Sequence, residues 1–153
     1  MRAVIQRVFG AKIYADGNYN GEINEGLYIL LGVKDGDTEK DAELLSEKIS
    51  KLRIFSDENG KMNLSVMDVD GEIMVVSNFT LYANYSHGNR PDYFASASPS
   101  LAERLYNCFV SLIKEKVKHT ATGVFGADMK TELSTNGPVT IVMDSELLSG
   151  GKK

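Results

Sequence analysis

Apolar and polar positions alternate over the first part of the chain. Residues 2 to 8, 10 to 15, 19 to 23 and 27 to 33 are short β-type runs, separated by Gly10, by Asp16-Gly17-Asn18 and by Asn24-Glu25-Gly26. They predict a meander of strands. The period then changes: Ala42, Leu45, Ile49 and Leu52 fall on one helical stripe, and Thr38 stands at the N-cap with Asp41 three residues on, where the helix dipole favours it. A helix from Thr38 to about Leu52 is predicted, and its stripe needs a sheet to cover. After a turn at Asp57-Glu58-Asn59-Gly60, the β-branched run Glu72 to Leu81 reads as a central strand, with Asp70-Gly71 as a hairpin entry. A polar loop, Asn84 to Asp92, leads to Ser98 as a cap and Pro99 as the opening of a second helix, with Leu101, Leu105, Phe109 and Ile113 as its buried stripe. From Thr120 onward, β-type segments at 120 to 125, 128 to 134 and 138 to 144 are broken by Gly126 and by Asn136-Gly137. Strands outnumber helices and many connections are of hairpin length. The expected architecture is α+β: a mainly antiparallel sheet or partial barrel with two main helices packed on one side. Without repeats, low-complexity stretches or linkers, residues 1–153 read as a single domain.

Composition narrows this picture. The chain has 153 residues, 42% hydrophobic and 25% charged, the proportions of an ordinary globular protein. Its single cysteine, Cys108, excludes an intramolecular disulfide and lies in an apolar helical stretch, which reads as a core thiol in a reducing compartment. No apolar run has the length of a signal peptide or a membrane span, so a soluble, cytoplasmic protein with no membrane partner is expected. With 17 Lys plus Arg against 21 Asp plus Glu, the net charge of −4 argues against a broad grip on a phosphate backbone. Any nucleic-acid contact should be local, with Lys114, Lys116, Lys118 and His119, or Lys152 and Lys153, as candidates.

Much familiar chemistry is missing. Two histidines, one cysteine and no Gly-x-Ser-x-Gly leave little for a nucleophile with its base. No His or Cys spacing suits a metal, and the acidic stretches Asp57 to Gly60 and Asp68 to Glu72 lack the twelve-residue calcium pattern. Gly123-Val124-Phe125-Gly126 lacks the downstream Lys of a phosphate-binding loop. Neither metal nor cofactor is expected.

Two places resist a purely structural reading: Ser77-Asn78-Phe79-Thr80-Leu81 and Asn136-Gly137-Pro138-Val139-Thr140. With the opening Met1 to Val8, the loop Gly88-Asn89-Arg90-Pro91-Asp92 and the segment Gly123 to Met129, they resemble the D-aminoacyl-tRNA deacylases over nearly the whole length. The first motif is usually Ser-Gln-Phe-Thr-Leu in that family, so this chain departs by one methylene at Asn78. The resemblance implies hydrolysis of the ester bond of D-aminoacyl-tRNA, and of mischarged glycyl-tRNA, with the 3′ end as partner. It also implies a homodimer in which a cis Gly137-Pro138 pair enters the partner's site and rejects L-residues. Phe125, Ala127 and Met129 would line the pocket, and Arg7, with Asn136 beside the motif, would support the Gly-Pro loop. The physics of that loop is readable: Gly137 lets backbone approach a ligand closely and Pro138 fixes the chain.

Strand alternation puts Ser77, Phe79 and Leu81 on one face and Asn78 and Thr80 on the other. Either the strand bends or ends near Ser77, exposing backbone N–H groups as an oxyanion site, or only one hydroxyl is used. The resemblance favours the bend. Ser77, Asn78, Phe79 and Thr80 are therefore the candidate catalytic segment. Thr80 as a nucleophile has no evident base in the sequence, and direct attack by water, assisted by the ribose 2′-hydroxyl, is the preferred chemistry. Two rivals are an editing domain of the same fold acting on L-amino-acid or glycine esters, and a non-catalytic dimer that binds RNA ends.

Overall fold

The computed structural model describes residues 1–150; the Lys152-Lys153 candidate lies outside the described residues. Strand β1 (Arg2–Ala15) is the organising element, because it pairs with three others. Along one edge its first half meets β3 (Gly26–Gly32) and its second half meets β2 (Asn18–Ile23), both antiparallel. Along the other edge it pairs antiparallel with the 16-residue β8 (Met129–Asp144). The sheet continues through β6 (Glu72–Ser77) and β7 (Thr120–Thr122), and the β3–β6 and β6–β7 pairings are parallel. It curls until β2 meets β7, where Asn20 Nδ2 donates to Thr122 O (2.6 Å) and His119 Nε2 lies 2.9 Å from Glu22 O. The result is a mixed, nearly closed barrel-like sheet.

Two long strands, read as separate pieces in the sequence, are each continuous. Residues 2–8 and 10–15 form continuous β1, and 128–134 and 138–144 belong to continuous β8. Gly10 continues the ladder opposite Ser134, and Asn136-Gly137 bulges from it instead of ending it. The Glu72 run stops at Ser77, four residues earlier than expected. Asp70-Gly71 is a turn, with Asp70 at φ 53°, but the strands it joins are not a hairpin: β5 (Met62–Leu64) pairs with β4 (Phe55–Ser56), not with β6.

Both main helices form where their caps lie. Helix α1 (Glu39–Ser50) is opened by Thr38, whose N–H donates to the Asp41 carboxylate at 2.9 Å. Helix α2 (Pro99–Lys114) starts after Ser98, whose Oγ accepts from Leu101 N–H. The short α3 (Ser145–Ser149) was not foreseen, and Asp144 caps it by accepting from Glu146 N–H.

Two cores result. On the helix side, Met1, Ala3 and Ile5 pack with Leu27, Ile29, Ile73 and Val75 against Ala42, Leu45, Ile49, Leu105, Phe109 and Ile113. Inside the curl, Val8, Ala11 and Ile13 pack with Tyr28, Met74 and Val76, and no helix contributes a buried residue. Burying each large aliphatic side chain contributes roughly 1.5–3 kcal/mol, so both cores are needed. Cys108 is half-buried beside the first core.

The β3–β6 contact is tight at Gly26, where a Cβ would fall 1.7 Å from Glu72 O. Gly26→Ala is expected to destabilise the fold by about 3 kcal/mol or more, read as a lowered urea midpoint. An unchanged midpoint would mean that the parallel pairing is looser than described.

Candidate active site

Strands β3, β6 and β7 run parallel and end side by side at Gly32, Ser77 and Thr122. At such carboxyl ends the connections diverge and leave a crevice. Here it is a cavity of about 540 Å³, within the usual range for small-molecule sites. Leu31, Val33, Ser77, Asn78 and Phe79 supply the strand-end wall, and Pro99, Ala102 and Tyr106 the α2 wall. The turn residues Tyr93, Ser96 and Ala97, the β7–β8 connection with Phe125, Gly126 and Ala127, and Met129 at the start of β8 complete it.

The strand end is built from its own residues. Asn78 N–H makes the last rung to Leu31 O (2.9 Å), after which the Asn78 side-chain oxygen accepts from Thr80 N–H (3.2 Å) and turns Phe79–Tyr82 into a 3-10 turn. Asn is suited to this because its short side chain reaches a backbone N–H two residues on. Gly32 permits the turn to fold back, since a Cβ there would lie 3.0 Å from Leu81 Cβ and 3.1 Å from Asn78 O. Two polar groups are left over at the wall: neither the Phe79 N–H nor the Ser77 hydroxyl has a hydrogen-bond partner among the described residues.

Six of the residues singled out in the sequence thus come together: Ser77, Asn78, Phe79, Phe125, Ala127 and Met129. Thr80 does not join them. It is exposed, its hydroxyl donates to Asn78 Oδ1, and it does not line the cavity. Arg7, Asn136, Gly137 and Pro138 lie outside this cavity as well. Opposite Arg7, β8 pushes out residues 136 to 139, because Gln6 pairs with Thr140 and Val8 with Thr135. Arg7 holds the base of this bulge, donating from Nε to Asn136 O (3.2 Å), from Nη2 to Asn136 Oδ1 (3.4 Å) and from Nη1 to Ile54 O (2.6 Å). The Gly137-Pro138 bond is cis, and both residues are exposed.

The α2 wall was missed in the sequence. Its signal is a second stripe, Pro99, Ala102 and Tyr106, beside the apolar one, with small residues that leave room. Tyr106 OH donates to Val75 O at 2.8 Å, and burial pushes its pKa up to about 12. It is neutral at any ordinary pH and serves as a wall tied to β6. No Asp, Glu, His, Lys or Arg lines the cavity. Among the described residues no group of three or more His, Cys, Asp or Glu side chains could hold a metal ion. Two of the four residues of the local basic patch are ion-paired, Lys116 with Glu47 and Lys118 with Asp70, both at 2.8 Å. No helix among the described residues is long and apolar enough to cross a membrane.

The fold is a barrel-like mixed α/β sheet, and the cavity at its parallel-strand ends offers shape and unpaired polar groups instead of charge. The chain belongs to the family described as D-Tyr-tRNA(Tyr) deacylase, which matches residues 4–144. It is similar to the D-aminoacyl-tRNA deacylase of Caldicellulosiruptor saccharolyticus, 52% identical over 146 residues that cover 95% of this chain and 98% of the relative. The D-aminoacyl-tRNA deacylase of Geobacter metallireducens is 50% identical over 151 residues, covering 99% of this chain and all of the relative (100%). A solved structure described as c-Myc DNA Unwinding Element Binding Protein superposes with a TM-score of 0.88 at 38% identity, covering 94% of this chain and 98% of the other. The protein is a hydrolase of the D-aminoacyl-tRNA deacylase kind, as its motifs imply.

Tyr106→Phe separates wall from chemistry. Loss of the bond to Val75 O should lower stability by about 1–2 kcal/mol. The deacylation rate should fall far less than the roughly hundredfold or more that removing a general acid or base costs, as single-turnover kinetics would show.

Proposed function

We propose that the protein, one domain per subunit, cleaves the ester joining a D-amino acid or glycine to the 3′ end of tRNA. In this reading it acts as a homodimer, and Gly137-Pro138 of one subunit enters the cavity of the other. The observation that carries the chemistry is a cavity without an ionisable acid or base at neutral pH, whose wall offers the unpaired Phe79 N–H and Ser77 hydroxyl. Water attacks the ester carbonyl, the π electrons move onto its oxygen, and the Phe79 N–H donates to that oxyanion. The adjacent ribose 2′-hydroxyl relays the proton to the departing 3′-oxygen, so free tRNA and the amino acid leave. The protein supplies position. Phe125, Ala127 and Met129 would hold the terminal adenosine and aminoacyl group.

The dimer reading is supported by two features. Among the described residues β8 pairs only with β1, so its other edge is open to a second copy. Gly137 and Pro138 are exposed on a bulge that Arg7 and Asn136 hold in place, yet they do not serve their own chain's cavity. Seated in the partner's cavity, such a wall would collide with an L side chain at the substrate α-carbon while admitting hydrogen, as in glycine or a D-residue.

Initial rates on tRNA carrying D-Tyr, L-Tyr or Gly test this directly. D-Tyr and Gly esters should be released and L-Tyr retained; release of L-Tyr at a comparable rate would sink the exclusion mechanism. A second outcome concerns Thr80, whose hydroxyl only supports the turn. Thr80→Ala is expected to keep a substantial part of the rate, far short of the roughly 10⁶-fold loss that follows removal of a catalytic nucleophile. Trapping of an acyl group on Thr80 would replace this mechanism with a covalent one.

A further inference from the structure

We propose that the rim formed by Phe94 and Arg90 binds the single-stranded nucleotides that precede the terminal adenosine of the substrate, with Phe94 as a stacking platform and Arg90 on a phosphate. The inference rests on the deacylase reading, which puts the tRNA 3′ end in the cavity and obliges the rest of the strand to leave through its mouth.

The mouth is aromatic. Phe79 and Tyr93 line the cavity and meet edge to face, with ring centroids 5.0 Å apart. Ser96 Oγ donates to Phe79 O at 2.9 Å, fixing the turn against the strand end. Tyr93 and Ser96 are also the two ends of a tight turn, closed by Ser96 N–H to Tyr93 O (3.0 Å). Both ends of that turn line the cavity, and its two central residues are Phe94 and Ala95, so Phe94 directly follows the cavity residue Tyr93. Phe94 is 90% exposed and Phe79 58%. Single exposed apolar residues are ordinary, but a cluster of aromatic rings continuous with a substrate cavity marks a contact surface. Every base has a π-face, so such a platform accepts any nucleotide.

The charge is next to it. The loop between Asn84 and Asp92 is clamped by reciprocal backbone bonds of 2.9 Å and by Asn84 Nδ2 donating to Asp92 Oδ2 (3.0 Å). Asp92 then accepts from Phe94 N–H through its other oxygen (3.3 Å), joining this loop to the turn. Arg90 lies on the clamped loop, exposed, with no ion pair or hydrogen bond among the described residues. Phe94 is four positions further along the chain, so their Cα atoms are no more than about 14 Å apart. An unpaired guanidinium at that distance suits a phosphate of the same strand. Lys116 and Lys118, in contrast, are already paired with carboxylates.

The test compares two substrates on the intact protein: D-tyrosyl-tRNA, and the D-tyrosyl ester of adenosine alone, which lacks the preceding nucleotides. Phe94→Ala should lower kcat/KM on the tRNA by at least about fivefold and leave the nucleoside ester unchanged. Arg90→Gln should flatten the dependence of log kcat/KM on log salt by about 0.7 on the tRNA only. Equal kcat/KM for parent and variants on tRNA would overturn the proposal, as would equal losses on both substrates. Loss of self-association in either variant would instead identify the rim as a contact between copies and overturn it too. A parent that cleaves neither substrate would refute the deacylase reading itself, a result distinct from any of these.

Discussion

Strand β1 has to serve two cores with one backbone. Its ladder with β3 is regular from Arg2 to Val8, so side chains alternate strictly, yet the apolar face changes partway along. Met1, Ala3 and Ile5 point to the helices, whereas Val8, Ala11 and Ile13 point into the curl. Arg7 falls on the helix-side face just where that core runs out. A charged group there cannot be left without partners in a partly buried position. Three acceptors meet it: Ile54 O, Asn136 O and Asn136 Oδ1. Phe9 then adds one residue against β8, as the register Val8↔Thr135 and Gly10↔Ser134 shows, and this bulge keeps Ala11 and Ile13 on the face of Val8. The switch of faces, the curl of the sheet and the outward bulge at Gly137-Pro138 are one arrangement.

The candidate active site depends on the same sheet in another way. Parallel pairing of β3 with β6 and β6 with β7 brings three strand ends together, with β7 ending opposite Val75, and the short Asn78 side chain turns the chain just past the middle strand. A longer amide would place its oxygen farther from the Thr80 N–H. In this chain the Asn78 amide oxygen serves the turn. Ser77, Asn78 and Phe79 face the cavity because the strand stops, while Thr80 is carried away by the turn.

The sequence made some of this legible. Thr38, Asp41, Ser98 and Pro99 marked both main helices because capping is local chemistry. The stripes Leu45-Ile49 and Leu105-Phe109-Ile113 marked their buried faces. The motifs led to six cavity residues. What could not be read depends on partners distant in the chain. Gly10 and Asn136-Gly137 look like breaks, but each lies within a strand that β1 and β8 hold together across more than a hundred residues. The parallel pairings, the α2 wall at Ala102 and Tyr106, and the position of Thr80 outside the cavity are likewise set by packing. Strict alternation does not hold past Ser77: it would part Asn78 from Ser77 and Phe79, yet all three line the cavity, because the strand ends there and the turn sets Thr80 aside.

In the proposed mechanism, a site without a general base is not short of catalytic means. A positioned acid or base contributes about 10²- to 10⁴-fold, roughly 3–5 kcal/mol. Holding water and ester in an attack geometry is worth up to about 7–11 kcal/mol, and one oxyanion donor about 3–4 kcal/mol. Positioning and oxyanion stabilisation together outweigh the missing base, and a rigid wall can supply both. An uncharged, mostly apolar cavity also strengthens the donor, because the Phe79 N–H acts on developing charge in a medium less screening than water. Such chemistry tolerates little displacement, which gives the surrounding structure its purpose: the Asn78 cap, Gly32 beneath the turn and the Tyr106 hydroxyl on Val75 O each fix the strand end that carries the donor.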